Sequence, residues 1–338
     1  MTGGGQVKVG NAQYIGARGE QQDYLGITDE HDADFVRHGG VVAVVADGVG
    51  GHAHGGEASQ VAVREFLRAY RAKFRGTWIP DALYLAVKAA NHAVCEFAES
   101  QGQAGNCGTT LVAAALHPES GSLHWVSIGD SRLYLLRGQE WAQLTMDGNY
   151  ASLQFKRVAR GAAAQDVLAE HPDHRVLTSF IGLKNACEID RSIRPFRLQE
   201  GDWLVLCTDG IFNSLSAEEM VGCLRADPQA ACEALVRSVL AKGLKHQDNC
   251  TVAILGYGLA EPPGADAPAR EEAAGAPVKA RPGRKWLPWF GASVMVSLAV
   301  LLWAVWLGNE AGKVPKPAAP AAFPAAALES AAALAGRP

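Results

Sequence analysis

The amino-acid pattern predicts an α+β fold, with helices packed on antiparallel sheets, followed by one C-terminal transmembrane helix. Three features point to it. Short apolar strands come in pairs joined by tight turns, as where a strand ending at Leu116 turns through His117–Ser122 and returns over Leu123–Ile128. Amphipathic helical patterns are inserted between such strands rather than alternating with each one, which favours α+β over a parallel α/β sheet. Finally, 286–307 (WLPWFGASVMVSLAVLLWAVWL) runs 22 residues without a charge.

Taken in order, Gly10 to Gly26 reads as a strand and turn containing Arg18, Gln22 and Asp23. The β-branched run Val41–Ala46 is a buried strand that stops at Asp47-Gly48. A helix over about 57–74 carries Val61, Ala62, Phe66, Leu67 and Tyr70 on one face. A second helix runs over about 80–99, with Pro80 in its first turn and Leu83, Val87, Ala90, Val94 and Phe97 inward. Gly108-Thr109-Thr110 leads the next strand, and Gly129-Asp130-Ser131 is a tight turn into the alternating strand Arg132–Arg137. Weak periodicity over 145–176 marks a surface insertion with some helical content. Strands near Arg191–Phe196 and over Trp203–Cys207 follow, the second ending at Thr208-Asp209-Gly210. Ser216-Ala217-Glu218-Glu219 is a capping box that starts a helix; another covers about 229–243, and Asp248-Asn249 precedes a last strand, Thr251–Leu255.

Composition narrows the function. With 338 residues, 48% hydrophobic and 20% charged, the chain has room for one large domain plus extensions. A net charge of -4 gives no basic signature, so nucleic acid is not an expected partner. The seven cysteines are scattered without a CxxC pair, which argues against zinc and against a disulfide framework. Met1 to Val9 lack the apolar core of a signal peptide. Residues 259–285, rich in Ala, Pro, Gly and charge, read as a linker between a domain over 1–258 and the uncharged stretch. As a helix that stretch is about 33 Å long, enough for a hydrocarbon core of about 30 Å. Tryptophans 286, 289, 303 and 306 sit near its ends, and Arg281, Arg284 and Lys285 precede it. The expectation is a single-pass protein of the inner or plasma membrane with its domain in the cytoplasm and an Ala/Pro-rich tail, 308–338, beyond.

Four aspartates share one context, a turn at the end or beginning of a strand: Asp47-Gly48, Asp130-Ser131, Asp209-Gly210 and Asp248-Asn249, with Asp23 as a fifth. One Asp-Gly is an ordinary turn. Several held at one rim cannot all stay ionised without a cation among them, and oxygen-only ligands favour Mg²⁺ or Mn²⁺ over zinc. Two such ions are a common apparatus for phosphate-ester hydrolysis. Two weaker readings remain beside it. Gly48-Val49-Gly50-Gly51-His52-Ala53 fits a loose dinucleotide fingerprint without the βαβ unit that should follow. His52, His54 and His246 are either ligands or proton donors, or simply face solvent.

Together these motifs resemble the metal-dependent protein phosphatase family (type 2C), in particular its bacterial serine/threonine members, over about residues 8–257. The matching residues are Arg18, Gln22-Asp23, Asp47 to His52 with Gly55 and Glu57-Ala58-Ser59, Gly108-Thr109-Thr110, Gly129 to Arg132, Thr208-Asp209-Gly210 and Asp248-Asn249. The resemblance implies a central sandwich of two antiparallel sheets flanked by helices. It implies that Asp47 bridges two metal ions, that the Gly48 carbonyl ligates one, and that Asp209 and Asp248 hold the other. Asp23 would orient the attacking water, Arg18 clamp the substrate phosphate, and Asp130 help hold a third ion. Val49 departs from animal members, which carry a histidine there, and Met146-Asp147-Gly148-Asn149 departs from a common Asp-His-Ser. The expected substrates are phosphoserine and phosphothreonine proteins, with a cognate serine/threonine kinase or its substrates as partners. The competing expectation, a catalytically silent phosphoprotein-binding scaffold, would be favoured by loss of a metal aspartate; Asp47, Asp209 and Asp248 are all present. A stress-regulator phosphatase would bring a sensor domain, and none is visible.

Overall fold

The computed structural model describes residues 5–49, 54–160, 176–184, 188–225 and 227–259. The chain divides into Met1–Pro268 and Ala269–Pro338, and every described residue lies in the first unit. The transmembrane helix and tail expected from the sequence lie outside the described residues; among these, no helix is long and apolar enough to cross a membrane.

Two antiparallel sheets form the centre. The first comprises β1 (Val7–Tyr14), β11 (Cys250–Tyr257), β10 (Asp202–Cys207), β6 (Arg132–Arg137) and β7 (Glu140–Gln143), in that spatial order. The second runs β2 (Asp23–Ile27), β3 (Val41–Asp47), β4 (Leu111–His117), β5 (Ser122–Ile128) and β8 (Asp190–Arg191), with β9 (Phe196–Arg197) also paired to β5. Side chains alternate along each strand, so a strand buried on both faces needs apolar residues throughout. In β3, Val41, Ala43 and Val45 point between the sheets toward Leu204, Leu206 and Leu255. Its other face, Val42, Val44 and Ala46, packs with Phe66 of α2 (Gly55–Arg71) and Val87 of α3 (Ile79–Ser100). Across the sandwich, Val205, Val252 and Ile254 pack with Met220 of α6 (Ala217–Cys223) and with Leu235 and Val239 of α7 (Pro228–Ala241). The result is four layers, helix–sheet–sheet–helix, as the family resemblance implied.

The sequence reading differs from the structure in several places: β7 was not expected, and the strand and turn read over Gly10–Gly26 are the two strands β1 and β2, in different sheets. Helix α1 (Ala33–Gly39) was not expected: it is seven residues long, buries only Phe35 and Gly39, and starts on the Asp32 carboxylate, which accepts from the Phe35 amide at 3.1 Å. The strand expected near Arg191–Phe196 is split into the stubs β8 and β9. Between them Ser192 turns its hydroxyl inward and accepts from the Trp125 amide at 2.9 Å, taking the place of a ladder bond. Asp209 does not end β10 but opens the short helix α5 (Asp209–Phe212). The insertion does hold a helix, α4 (Tyr150–Ala159), and the capping box of Ser216 and Glu219 is formed.

Candidate active site

All five aspartates arrive at one end of the sandwich because each sits at the same end of a sheet. β2 begins at Asp23 and β3 ends at Asp47, and the two face each other as cross-strand partners. β5 ends at Ile128, and Gly129 (φ 93°) supplies the left-handed turn that delivers Asp130. β10 ends at Cys207, two residues before Asp209, and β11 starts two residues after Asp248. A cavity of about 320 Å³ opens there, lined by Asp47, Thr110, Asp130, Asp209 and Asp248 on its polar side and by Val49, Val176, Leu177 and Phe180 on the other.

The backbone around each carboxylate is fixed. The Asp47 amide donates to Thr110 Oγ1 at 3.0 Å, and its carbonyl accepts from the Thr110 amide and from Thr109 Oγ1, both at 2.8 Å. A side chain at Gly48 would collide with the Gly55 carbonyl, and one at Gly210 with the Asn249 carbonyl, so the two glycines permit close backbone approach. Asn249 is buried and ties the start of β11 to the loop before β2. Its Oδ1 accepts from the Gln22 amide at 2.8 Å, and its Nδ2 donates to the carbonyls of Ile15 and Glu20 at 2.7 and 3.0 Å. Thr208 accepts from the Thr251 amide and donates to Asp23 Oδ2 at 2.9 Å.

Charge is the dominant fact of the site. Burial pushes the Asp23 carboxyl up to about 7, against the pull of the Thr251 and Thr208 hydroxyls and with added repulsion from Asp209. Burial raises Asp47 well above the carboxylate range, and repulsion from Asp23, Asp209, Asp130 and Asp248 adds to it. Asp130 rises to about 7 through burial and then through Asp209 and Asp147. Asp23 Oδ1 is buried with no hydrogen-bond partner. A ring of carboxylates that raise one another, with one oxygen left unsatisfied, is a site built for added positive charge. No three acidic, histidine or cysteine side chains among the described residues close on a single point. The side-chain donors lining the cavity are oxygens, which suit hard divalent cations such as Mg²⁺ or Mn²⁺.

Arg18 reaches this rim from the loop before β2. Its Nη2 is 2.6 Å from Asp248 Oδ2, while the Asn249 amide donates to Asp248 Oδ1 at 2.9 Å. The guanidinium is half exposed and sits against Asp248, a carboxylate that lines the cavity.

Among the histidines, His52 lies outside the described residues. His54 precedes α2 in the left-handed conformation, pairs with Glu57 at 3.2 Å and packs edge-on against Phe97. His246 is exposed, and neither of these two lines the cavity. The dinucleotide reading is overturned, because β3 pairs antiparallel with both β2 and β4 and forms no parallel βαβ unit. Sequence reading missed the apolar wall of Val176, Leu177 and Phe180, brought in where Thr109 bridges to Ile181. It placed Arg132 in the Gly129–Arg132 motif but gave it no role; the arginine forks onto Asp147 at 2.7–3.3 Å and lies 3.8 Å over the Phe212 ring, joining the Asp130 turn to α5 and to the 146–149 loop. Only an arginine directly following Gly-Asp-Ser signalled it.

The sequence model of protein phosphatase 2C matches residues 19–251. The serine/threonine phosphatase stp of Listeria innocua is 31% identical over 217 residues, which span 63% of this chain and 83% of that protein. The protein phosphatase PhpP of Streptococcus pneumoniae is 31% identical over 238 residues, 67% of this chain and 91% of its own. The crystal structure of the Mycobacterium tuberculosis serine/threonine phosphatase PstP/Ppp superposes with a TM-score of 0.58 at 26% identity, covering 74% of this chain and 98% of that one. The catalytic domain of PstP in complex with two manganese ions gives a TM-score of 0.56 at 25% identity, over 74% of this chain and 98% of that one.

Proposed function

The chain belongs to the protein phosphatase 2C family and is a metal-dependent protein serine/threonine phosphatase, and from this premise we propose that it works tethered to a membrane, opposing a serine/threonine kinase there. The observation that carries the chemistry is the set of mutually repelling carboxylates gathered around one cavity, with Asp23 Oδ1 unsatisfied beside them.

In this reading Asp47 and the Gly48 carbonyl, together with Asp209 and Asp248, hold two Mn²⁺ or Mg²⁺ ions, and Asp130 beside Asp209 contributes to a third. When bound, the ions supply Lewis acidity, making water a usable nucleophile at neutral pH and offsetting charge on the phosphoryl oxygens. Arg18 turns from Asp248 to the incoming phosphate, where its planar fork matches two oxygens. Asp23 is held by Thr208 and offers Oδ1 as the acceptor that orients the attacking water. Val49, Val176 and Phe180 keep one side of the cavity apolar. That wall limits bulk water around the reacting group.

Support for the tether comes from the 22 uncharged residues 286–307, with tryptophans near both ends and three basic residues just before them. Confinement to one surface raises the effective concentration of neighbouring phosphoproteins. Fractionation of cells expressing the intact chain and a form lacking 286–307 tests this. The intact chain should sediment with membranes and resist salt extraction, and the shortened form should not. Both forms soluble would refute the tether while leaving the phosphatase assignment intact.

A further inference from the structure

Helix α5 carries Asp209 as its first residue and is only four residues long. A single turn cannot hold its own direction, and the Thr208 side chain gives it no cap. Where Asp209 points therefore depends on what packs against the rest of the turn. Ile211 is buried, and Phe212, at the far end, lies under the Arg132 guanidinium, whose carbon is 3.8 Å from the ring centroid. Arg132 opens β6 two residues after Asp130, and its cross-strand partner is Cys207, two residues before Asp209. One side chain thus stands between the two strand ends that deliver Asp130 and Asp209 to the cavity.

The guanidinium is held by Asp147, Tyr134 and Phe212 together. Its Nε and Nη2 donate to Asp147 at 2.7–3.3 Å, and Nη1 donates to the Tyr134 hydroxyl at 3.0 Å. Asp147 is itself fixed, accepting from Gln143 Nε2 at 2.8 Å, and the next amide, Gly148, donates to the Gly129 carbonyl at 2.7 Å. The Arg132–Asp147 pair is largely buried, and neither residue lines the cavity. A planar fork with an aromatic face beneath it fixes orientation as well as charge, which a lysine does not. Granted the ion-holding role proposed above for Asp130 and Asp209, we propose that Arg132 is a positioning residue of the metal site. Braced on Asp147, it holds α5 and the Asp130 turn in register, so that Asp130 and Asp209 face one shared ion.

The test is Mn²⁺ calorimetry on the intact chain, well below its unfolding temperature, beside turnover of a phosphothreonine peptide. Arg132→Met and Phe212→Leu should each weaken Mn²⁺ binding by about tenfold, the lower end of what groups that orient a metal's ligands contribute. At fixed Mn²⁺ each should lower kcat and leave the peptide KM unchanged, because Arg18 is untouched. Arg132→Lys should behave like Arg132→Met, since charge without the fork does not hold orientation. A role in folding alone would lower Tm and leave the Mn²⁺ affinity of the folded chain at the wild-type value. That result in Arg132→Met and Phe212→Leu, or full recovery in Arg132→Lys, would overturn the proposal. Arg132→Met leaves the Asp147 charge buried without its partner; if it fails to fold, Phe212→Leu decides. Asp209→Ala, measured alongside, should bind Mn²⁺ far more weakly than either. Impaired binding there with wild-type affinity in the other two refutes the positioning role alone, whereas wild-type affinity in Asp209→Ala refutes the metal site with it.

Discussion

Asp23→Asn isolates the electrostatic strain at the centre of the site. The Asp23 carboxyl is raised from 3.8 to about 7, chiefly by burial. The folded chain therefore binds this proton more tightly than the unfolded chain, and stability is fully present below pH 3.8 and lost as pH rises through about 7. At 1.36 kcal/mol per pH unit, the ionised group costs about 4 kcal/mol above pH 7, part of it shared with Asp47 opposite. Asparagine keeps the acceptor that Thr208 Oγ1 uses and carries no charge. In chelator at pH 8 the variant should be more stable than wild type by up to about 4 kcal/mol, a rise in Tm of roughly 8–16 °C for a domain of this size. At pH 4 the difference should vanish, since wild-type Asp23 is then protonated. With Mn²⁺ added the order should reverse, because the charge then has its counter-ion. Urea unfolding at the two pH values, with and without metal, reads all of this. An Asn variant equally or less stable than wild type at pH 8 in chelator would refute the claim that these carboxylates are held together against their own repulsion.

Arg18→Ala should lower kcat/KM on a phosphothreonine peptide by about 10- to 100-fold, the worth of charge-assisted hydrogen bonds to one phosphate. The Mn²⁺ stoichiometry by calorimetry should be unchanged, since the arginine donates to Asp248 but ligates nothing. Asn249→Ala leaves the Gln22 amide and the Ile15 and Glu20 carbonyls without their buried partner, and should cost about 2–4 kcal/mol in urea unfolding. Gly210→Ala forces a methyl against the Asn249 carbonyl, so it should cost about 1–3 kcal/mol and also weaken Mn²⁺ binding by displacing Asp248.

Much of this was legible in the sequence because the strands are buried on both faces. Uninterrupted apolar runs such as 41–46 and 111–116 announce themselves, and aspartates placed where such runs break are conspicuous. The helices over Gly55–Arg71 and Ile79–Ser100 were visible from their apolar stripes to within three residues at each end. What stayed hidden depends on partners far along the chain. Helix α1 is held by its Asp32 cap and by the Phe35 contact with Tyr70, which no local period reports. The stubs β8 and β9 exist because Ser192 replaces a ladder bond. The apolar wall of the cavity comes from 176–180, a stretch with no pattern of its own. Arg18 was expected at a phosphate; its hydrogen bond to Asp248 could not be read from residues 230 positions apart.

The most direct test of the assignment is turnover of a phosphothreonine peptide by the intact chain with Mn²⁺, with chelator, and with Asp209→Ala. Hydrolysis that requires the ion and collapses in the variant, while the variant stays folded, is the expected result. Full hydrolysis in chelator, or a folded Asp209→Ala chain as active as wild type, would contradict an active site built on these aspartates.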